Sequence, residues 1–291
     1  MSAIPPPPAP ATAYPARKNP LGTPATVELC YVAAFIAVEL LGLVDPLITA
    51  FGDAILVATL VNHYILTERD HRQPLLLALA VVCLYRLLAF TPFPTIDFTN
   101  HLVLAGAPAL LATVLALRLS GALRGTSGRL LHGPGVRAVG EALLPKMLPW
   151  QLLVAASGIP LSFAAFELLK PGFVVTFSHP GEHPAAVAGV VIALAVFSGL
   201  GEELLFRVLL HGEARTSFGP AALYVSSAVF GAAYVGTRSI PFVLFVVAVG
   251  AFFGWCYEHT GSILGSAVAH GLISIGVFVF WPSLGSHIPH L

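Results

Sequence analysis

Residues 185–211 read AAVAGVVIALAVFSGLGEELLFRVLLH, and this stretch decides the fold. From Ala185 to Gly201 no side chain carries a charge. A helix that crosses the hydrocarbon of a bilayer needs about 20 largely apolar residues, and the run supplies them before Glu202, Glu203 and Arg207 arrive. Similar runs recur on both sides: Val27–Val44, Pro46–Leu66, Pro74–Phe93, Thr99–Leu117, Leu148–Leu168, Ala221–Gly236, Ile240–Tyr257 and Ser262–Trp281. Each is continuous, whereas a barrel strand alternates in and out over segments of about 10 residues. The expected fold is therefore all-α, a polytopic membrane bundle of about eight or nine transmembrane helices. The short Ala221–Gly236 run and the proline-interrupted Leu148–Leu168 run are its least regular members.

Composition gives the same class. Of 291 residues, 57% are hydrophobic and 10% charged, with a mean hydropathy of +0.87. Soluble domains carry roughly a quarter charged residues, so lipid must be the solvent for most of this chain. Fourteen basic and fourteen acidic side chains balance, which argues against nucleic acid as a partner and leaves the bilayer and membrane proteins or peptides. Cys30, Cys83 and Cys256 are too scattered for a disulfide framework or a CxxC metal knuckle.

Four segments follow. Residues 1–26, rich in proline, read as a disordered tail. Residues 27–117 form an N-terminal membrane part of four helices. Residues 118–147 are a basic loop, and 148–291 form a C-terminal membrane part with its core at 185–281. With the tail in the cytoplasm, ten basic side chains fall on that face: Arg17 and Lys18, Arg69 and Arg72, Arg215, and five between Arg118 and Lys146. The opposite face receives Lys170 and Arg238. This positive-inside bias predicts a cytoplasmic N-terminus, and the expected location is the plasma membrane. No internal repeat is evident.

Ionisable residues inside a span are costly and mark function by default. In the N-terminal part a structural account serves: Glu28 and His101 lie near span ends, Glu39 and Arg86 can neutralise each other, and Asp53 follows Gly52, a candidate break. Glu202, Glu203 and Arg207 are different. At about 100° per residue, Arg207 lies on the stripe of Glu203, an i,i+4 pair, while Glu202 points elsewhere and is free to act on water. His270 lies mid-span. A lone histidine on an apolar helix is more often a hydrogen-bonded core residue, but Ser274 one turn later could orient a ligand beside it.

The motif Glu202-Glu203-Leu-Leu-Phe-Arg207 fits EExxxR. Downstream come Arg215–Pro220, Gly254-Trp-Cys-Tyr-Glu-His-Thr-Gly-Ser262 and Ala269-His270. In order and spacing this third of the chain resembles the type II CAAX prenyl endopeptidase and bacteriocin-processing family of intramembrane proteases. The resemblance implies an endopeptidase with Glu202, Glu203, Arg207 and His270 as site residues. It also implies either a zinc site drawing on His270 and Glu202 or a metal-free glutamate mechanism. Two positions depart from the family pattern. FxxxH is here Phe230-Gly-Ala-Ala-Tyr234, and HxxxN is His270-Gly-Leu-Ile-Ser274. A neutral phenol is a poor zinc ligand, while a serine hydroxyl can still donate to an oxyanion. His211 and His259 are the other nitrogens in the region. Three functions stay open: a divergent intramembrane endopeptidase, a catalytically inactive relative that binds a membrane peptide or partner, and an ion- or proton-coupled carrier.

The charge bias makes a direct prediction. Single cysteines placed at Arg129 and His287 should label from opposite faces of intact cells; labelling from one face would refute the orientation or the parity of spans.

Overall fold

A computed structural model describes residues 23–68, 73–90, 98–123, 139–171 and 184–285. Residues 1–22, 124–138 and 286–291 lie outside the described residues, and so do the expectations made there for the tail, the basic loop and the C-terminus. Helices α1 (Thr23–Leu41), α2 (Pro46–Leu66), α3 (Pro74–Phe90) and α4 (Phe98–Leu123) make the N-terminal part. Helix α5 spans Leu148–Leu169. The long rod α6 starts at Pro184–Ala193, passes through π-helical turns at Leu194–Gly201 and Leu204–His211, and ends as Gly212–Phe218. Helix α7 is Ala222–Ala232 and α8 is Ile240–Thr260. Helix α9 is Leu264–Ile275, extended by a π turn at Gly276–Phe280 and a last piece at Trp281–Gly285.

The protein is an all-α integral membrane bundle. Among the described residues six stretches are long and apolar enough to cross a bilayer: Pro46–Leu66, Phe98–Ser120, Leu148–Leu169, Ala185–Thr237, Ile240–Thr260 and Leu264–Leu284. Pro74–Ala89 is a shorter apolar helix. Three boundaries differ from the sequence reading. Helix α1 begins at Thr23, inside the segment assigned to the tail. Helix α4 runs on to Leu123, past the expected start of the basic loop at residue 118. The run expected at Ala221–Gly236 forms a regular helix of only 11 residues, about 16 Å at 1.5 Å per residue, roughly half a bilayer. Gly52 does not break α2 either, because the helix continues through it and Asp53 is buried.

Local chemistry fixes the ends. Asp45 caps α2 by accepting from the Leu47 amide at 2.8 Å, satisfying a first-turn donor. Gly261, at φ +64°, closes α8 in the left-handed conformation that suits glycine. Gln151 of α5 then accepts from the Gly265 amide at 2.5 Å and caps the start of α9 from across the bundle.

Helix α9 is the central element of the C-terminal part and packs against α5 on one side and the first π turn of α6 on the other. Small residues allow both approaches. A Cβ on Gly158 would lie 2.7 Å from the Ala269 backbone, and one on Gly199 would lie 2.7 Å from the Ala267 carbonyl oxygen. Glu202 follows Gly199 by three residues and His270 follows Ala267 by three. This backbone contact therefore sets how far Glu202 and His270 stand apart.

Gly199→Ala should accordingly destabilise the bundle by about 1–3 kcal/mol through overpacking, whereas Gly189→Ala, with open space around the added methyl, should not. Thermal unfolding of the two purified variants in one detergent distinguishes them; equal melting would show that the α6–α9 approach is slack.

Candidate active site

Glu202 and Glu203 sit between the two π turns of α6. Such turns widen the helix and occur often at functional sites. The carboxylates face different partners. Glu203 has 0% exposure and lies 3.3 Å from Arg207 Nε, the expected i,i+4 ion pair. Phe230 and Phe253 flank the guanidinium, with Phe230's ring centroid 4.6 Å away, so cation–π attraction supports a charge removed from water. His270 Nδ1 stands 3.1 Å from the other oxygen of Glu203. An Nδ1–H donating there turns Nε2 toward Glu202, whose Oε2 is 3.7 Å away.

Glu202 is held by hydroxyls. Tyr234 donates to Oε2 at 2.7 Å, Tyr85 to Oε1 at 2.9 Å, and Ser198 to Oε1 at 3.2 Å. Ser198 also meets Ser274 at 2.7 Å. An ionised carboxylate offers about four acceptor positions. Hydroxyls take three, and the fourth, on Oε2, faces His270. Tyr234 gets there because α7 stops early: the residue occupies the turn after the helix, its amide donating to the Gly231 carbonyl at 3.0 Å.

These groups close one end of a cavity of about 310 Å³. Its walls are mostly apolar, with Phe98, Phe197, Phe242, Phe245 and Phe278 among the lining residues. The structure thus brings together Glu202, Glu203, Arg207, Tyr234, His270 and Ser274. It keeps the other two histidines apart from them. His211 lies between Ser226, 2.9 Å away, and Glu258, 3.1 Å away, and His259 stacks on Trp255.

Tyr85 escaped the sequence reading. It belongs to α3, 117 residues before Glu202, and a tyrosine in an apolar helix carries no motif. The available signal was its neighbour. Arg86 makes a two-pronged bond to Glu39 at 2.7 and 3.1 Å, as the sequence predicts, and this bond fixes the rotation of α3.

The donor set does not fit zinc. Metal sites in hydrolases usually have three protein ligands and an open position. Here Nε2 of His270 and the carboxylate of Glu202 face one another, while Glu203 is committed to Arg207 and to Nδ1. Among the described residues no group of three or more His, Cys, Asp and Glu side chains is placed to hold a metal ion.

Residues 184–276, which carry most of this geometry, match the family model for type II CAAX prenyl endopeptidase, Rce1-like. The match covers about a third of the chain and is a similarity to that family. The matched segment holds both carboxylates, Arg207, Tyr234, His270 and Ser274, and leaves Tyr85 outside. No curated protein and no solved structure matches the chain.

Arg207→Ala would leave Glu203 as an uncompensated buried charge, and the expected loss of stability is about 3–5 kcal/mol. Arg207→Lys should restore only part of it, because an ammonium lacks the planar fork and stacks less well on Phe230. Accumulation and melting temperature in detergent are the measurements. An alanine variant that melts like wild type would refute the buried pair.

Proposed function

We propose that this protein is a divergent intramembrane endopeptidase in which Glu202 activates water. The observation that carries the reading is the acceptor position of Glu202 Oε2 that faces His270, at the polar end of an apolar cavity. A water bound there gives its proton to Glu202 while its oxygen bonds to the carbonyl carbon of a peptide link. The carbonyl oxygen becomes an oxyanion. The imidazolium form of His270, stabilised by Glu203, is the donor that receives it, and Ser274 joins it by turning its hydroxyl proton from Ser198 to the oxyanion. Collapse breaks the C–N bond, and the departing amine takes the proton that Glu202 holds. Tyr85, Tyr234 and Ser198 position the base. The substrate is a membrane protein or peptide, since the cavity is walled by apolar side chains and lies within the bundle.

A second reading has its own support. Tyr234 stands where the family has histidine, and three hydroxyls already bind Glu202. A relative that has lost catalysis and binds a membrane peptide uncut would have such a quenched carboxylate.

Four proteins separate the two: wild type, Glu202→Gln, Tyr234→His, and Tyr234→His with Ser274→Asn, each tested in liposomes against a membrane-peptide library. The endopeptidase reading expects wild type to cut and Glu202→Gln to lose about 10²–10⁴ of the rate. It also expects Tyr234→His to change the pH profile, because imidazole titrates near neutrality. The binding reading expects an inert wild type, with zinc affinity or cleavage gained by the double variant. If none of the four cuts or takes up zinc, the assignment of Tyr234 to the histidine position fails.

A further inference from the structure

Away from Glu202, on the outer surface of the bundle, α5 and α8 leave a groove of about 320 Å³ between them. Leu153 of α5 and Phe252 of α8 stand at its sides, and the buried Val154 and Cys256 form its floor. The Ser157 hydroxyl is spent on the Val154 carbonyl at 2.6 Å, so the groove is apolar along its length. From Trp150 to Ser157 it runs about 10 Å at 1.5 Å per residue. A transmembrane helix, about 10–12 Å across with its side chains, could lie over such a slot but not in it; an acyl chain fits within it. One end is built differently. Trp150 and Trp255, 42% and 45% exposed, stand at the start of α5 and near the end of α8. His259 joins them, its ring stacked on Trp255 at 5.6 Å and edge-on to Trp150 at 5.8 Å. Tryptophans near the ends of spans sit at headgroup level. The Lys146 ammonium reaches the same end, 3.7 Å from where a Cβ on Gly261 would stand, just past α8. Among the described residues nothing pairs with that ammonium. The nearby carboxylate of Glu258 is turned to Arg215, 3.2 Å away, and to His211, 3.1 Å away.

An apolar slot, an aromatic rim and an unpaired cation, in that order along one axis, match the parts of one lipid molecule. We infer that the groove between α5 and α8 binds an anionic phospholipid. An acyl chain lies against Leu153, Val154 and Phe252, the glycerol region stands beside the two indoles, and the phosphate meets Lys146. A net negative headgroup is the one selected, because a basic side chain at the membrane surface attracts anionic lipid, whereas a zwitterionic headgroup brings its own cation to the phosphate. The site does not depend on the reaction at Glu202, but it adjoins the residues that build the active site. Val154 and Cys256 pack with Phe253 and Ala269 in one cluster. Phe253 flanks the Arg207 guanidinium at 5.8 Å, and Ala269 precedes His270. A chain in the groove therefore covers the outer side of the wall behind Arg207 and His270, and its binding stabilises that wall.

Lipid titration tests the site without needing a known substrate. Full-length protein, stripped of lipid in a mild detergent, is titrated with phosphatidylglycerol and, separately, with phosphatidylcholine of the same chains. Binding is read by native mass spectrometry and by melting temperature. Wild type should hold one phosphatidylglycerol about fivefold more tightly than phosphatidylcholine, the factor expected of one basic side chain, and should melt higher with it. Lys146→Ala should lose the preference and Lys146→Arg should keep it. Ala156→Phe, which fills the slot from an exposed position, should weaken both lipids. Glycerol phosphate, a headgroup without chains, should not displace the lipid. Equal binding of the two lipids by wild type, or uptake of neither, overturns the proposal. So does a Lys146→Ala that melts lower but keeps the preference, because Lys146 would then serve only the carbonyl end of α8. An Ala156→Phe that binds both lipids as wild type does would move the chain out of the groove. Cross-linking of Trp255→Cys copies in the lipid-free protein, with no lipid bound, would assign the face to a second copy of the chain instead.

Discussion

The arrangement depends on neutralising one carboxylate. Glu203 is fully enclosed by the bundle, and an unpaired charge there would cost more than the fold can sustain. Arg207 on one side and His270 on the other remove that cost. Their removal of it then dictates the rest. Once His270 Nδ1 is spent on Glu203, only Nε2 is left to face Glu202. With Arg207 spent too, Glu202 must be satisfied by neutral donors, and three hydroxyls do this. The chemistry assigned to the site follows from this division, with one carboxylate serving structure and its neighbour keeping a lone pair turned toward the imidazole.

The N-terminal part is more than an anchor. Through Tyr85 it supplies one of the donors to Glu202, and the Glu39–Arg86 pair holds the helix that carries it. The family resemblance covers residues 184–276, so the site of this chain is completed by a residue the resemblance could not reveal. Two phenols on Glu202 set the character of the site. Phenols donate at neutral pH and do not ligate zinc well, which agrees with a donor set too small for a metal.

Much of this is legible in the sequence, for identifiable reasons. The helical class follows from apolar runs whose length is set by bilayer thickness. The Glu203–Arg207 and Glu39–Arg86 pairs follow because a charge within a span must find its opposite. Motif register places Tyr234 against Glu202. What stays hidden depends on tertiary packing. Tyr85 has no local signature. The early end of α7 leaves no mark, since the run Ala221–Gly236 is as apolar as a full span. The π turns around Glu202 leave no mark in hydrophobic periodicity, because the surrounding residues are apolar on every face.

The position of Arg207 has a consequence for how the chain is made. Membrane proteins are threaded into the bilayer in order of synthesis, N-terminal segments first, and a lone acidic residue at the centre of a helix opposes insertion by about 2.5–3.5 kcal/mol. Helix α6 emerges long before α9, so His270 cannot help Glu203 at that moment. Arg207 can, because it travels on the same helix one turn away. The segment therefore crosses with its own counter-charge, and the tyrosine of α3 is already in the membrane to receive Glu202. The last partner to arrive, His270, then joins a carboxylate pair that is already housed, so the reactive geometry forms only after the bundle is otherwise assembled.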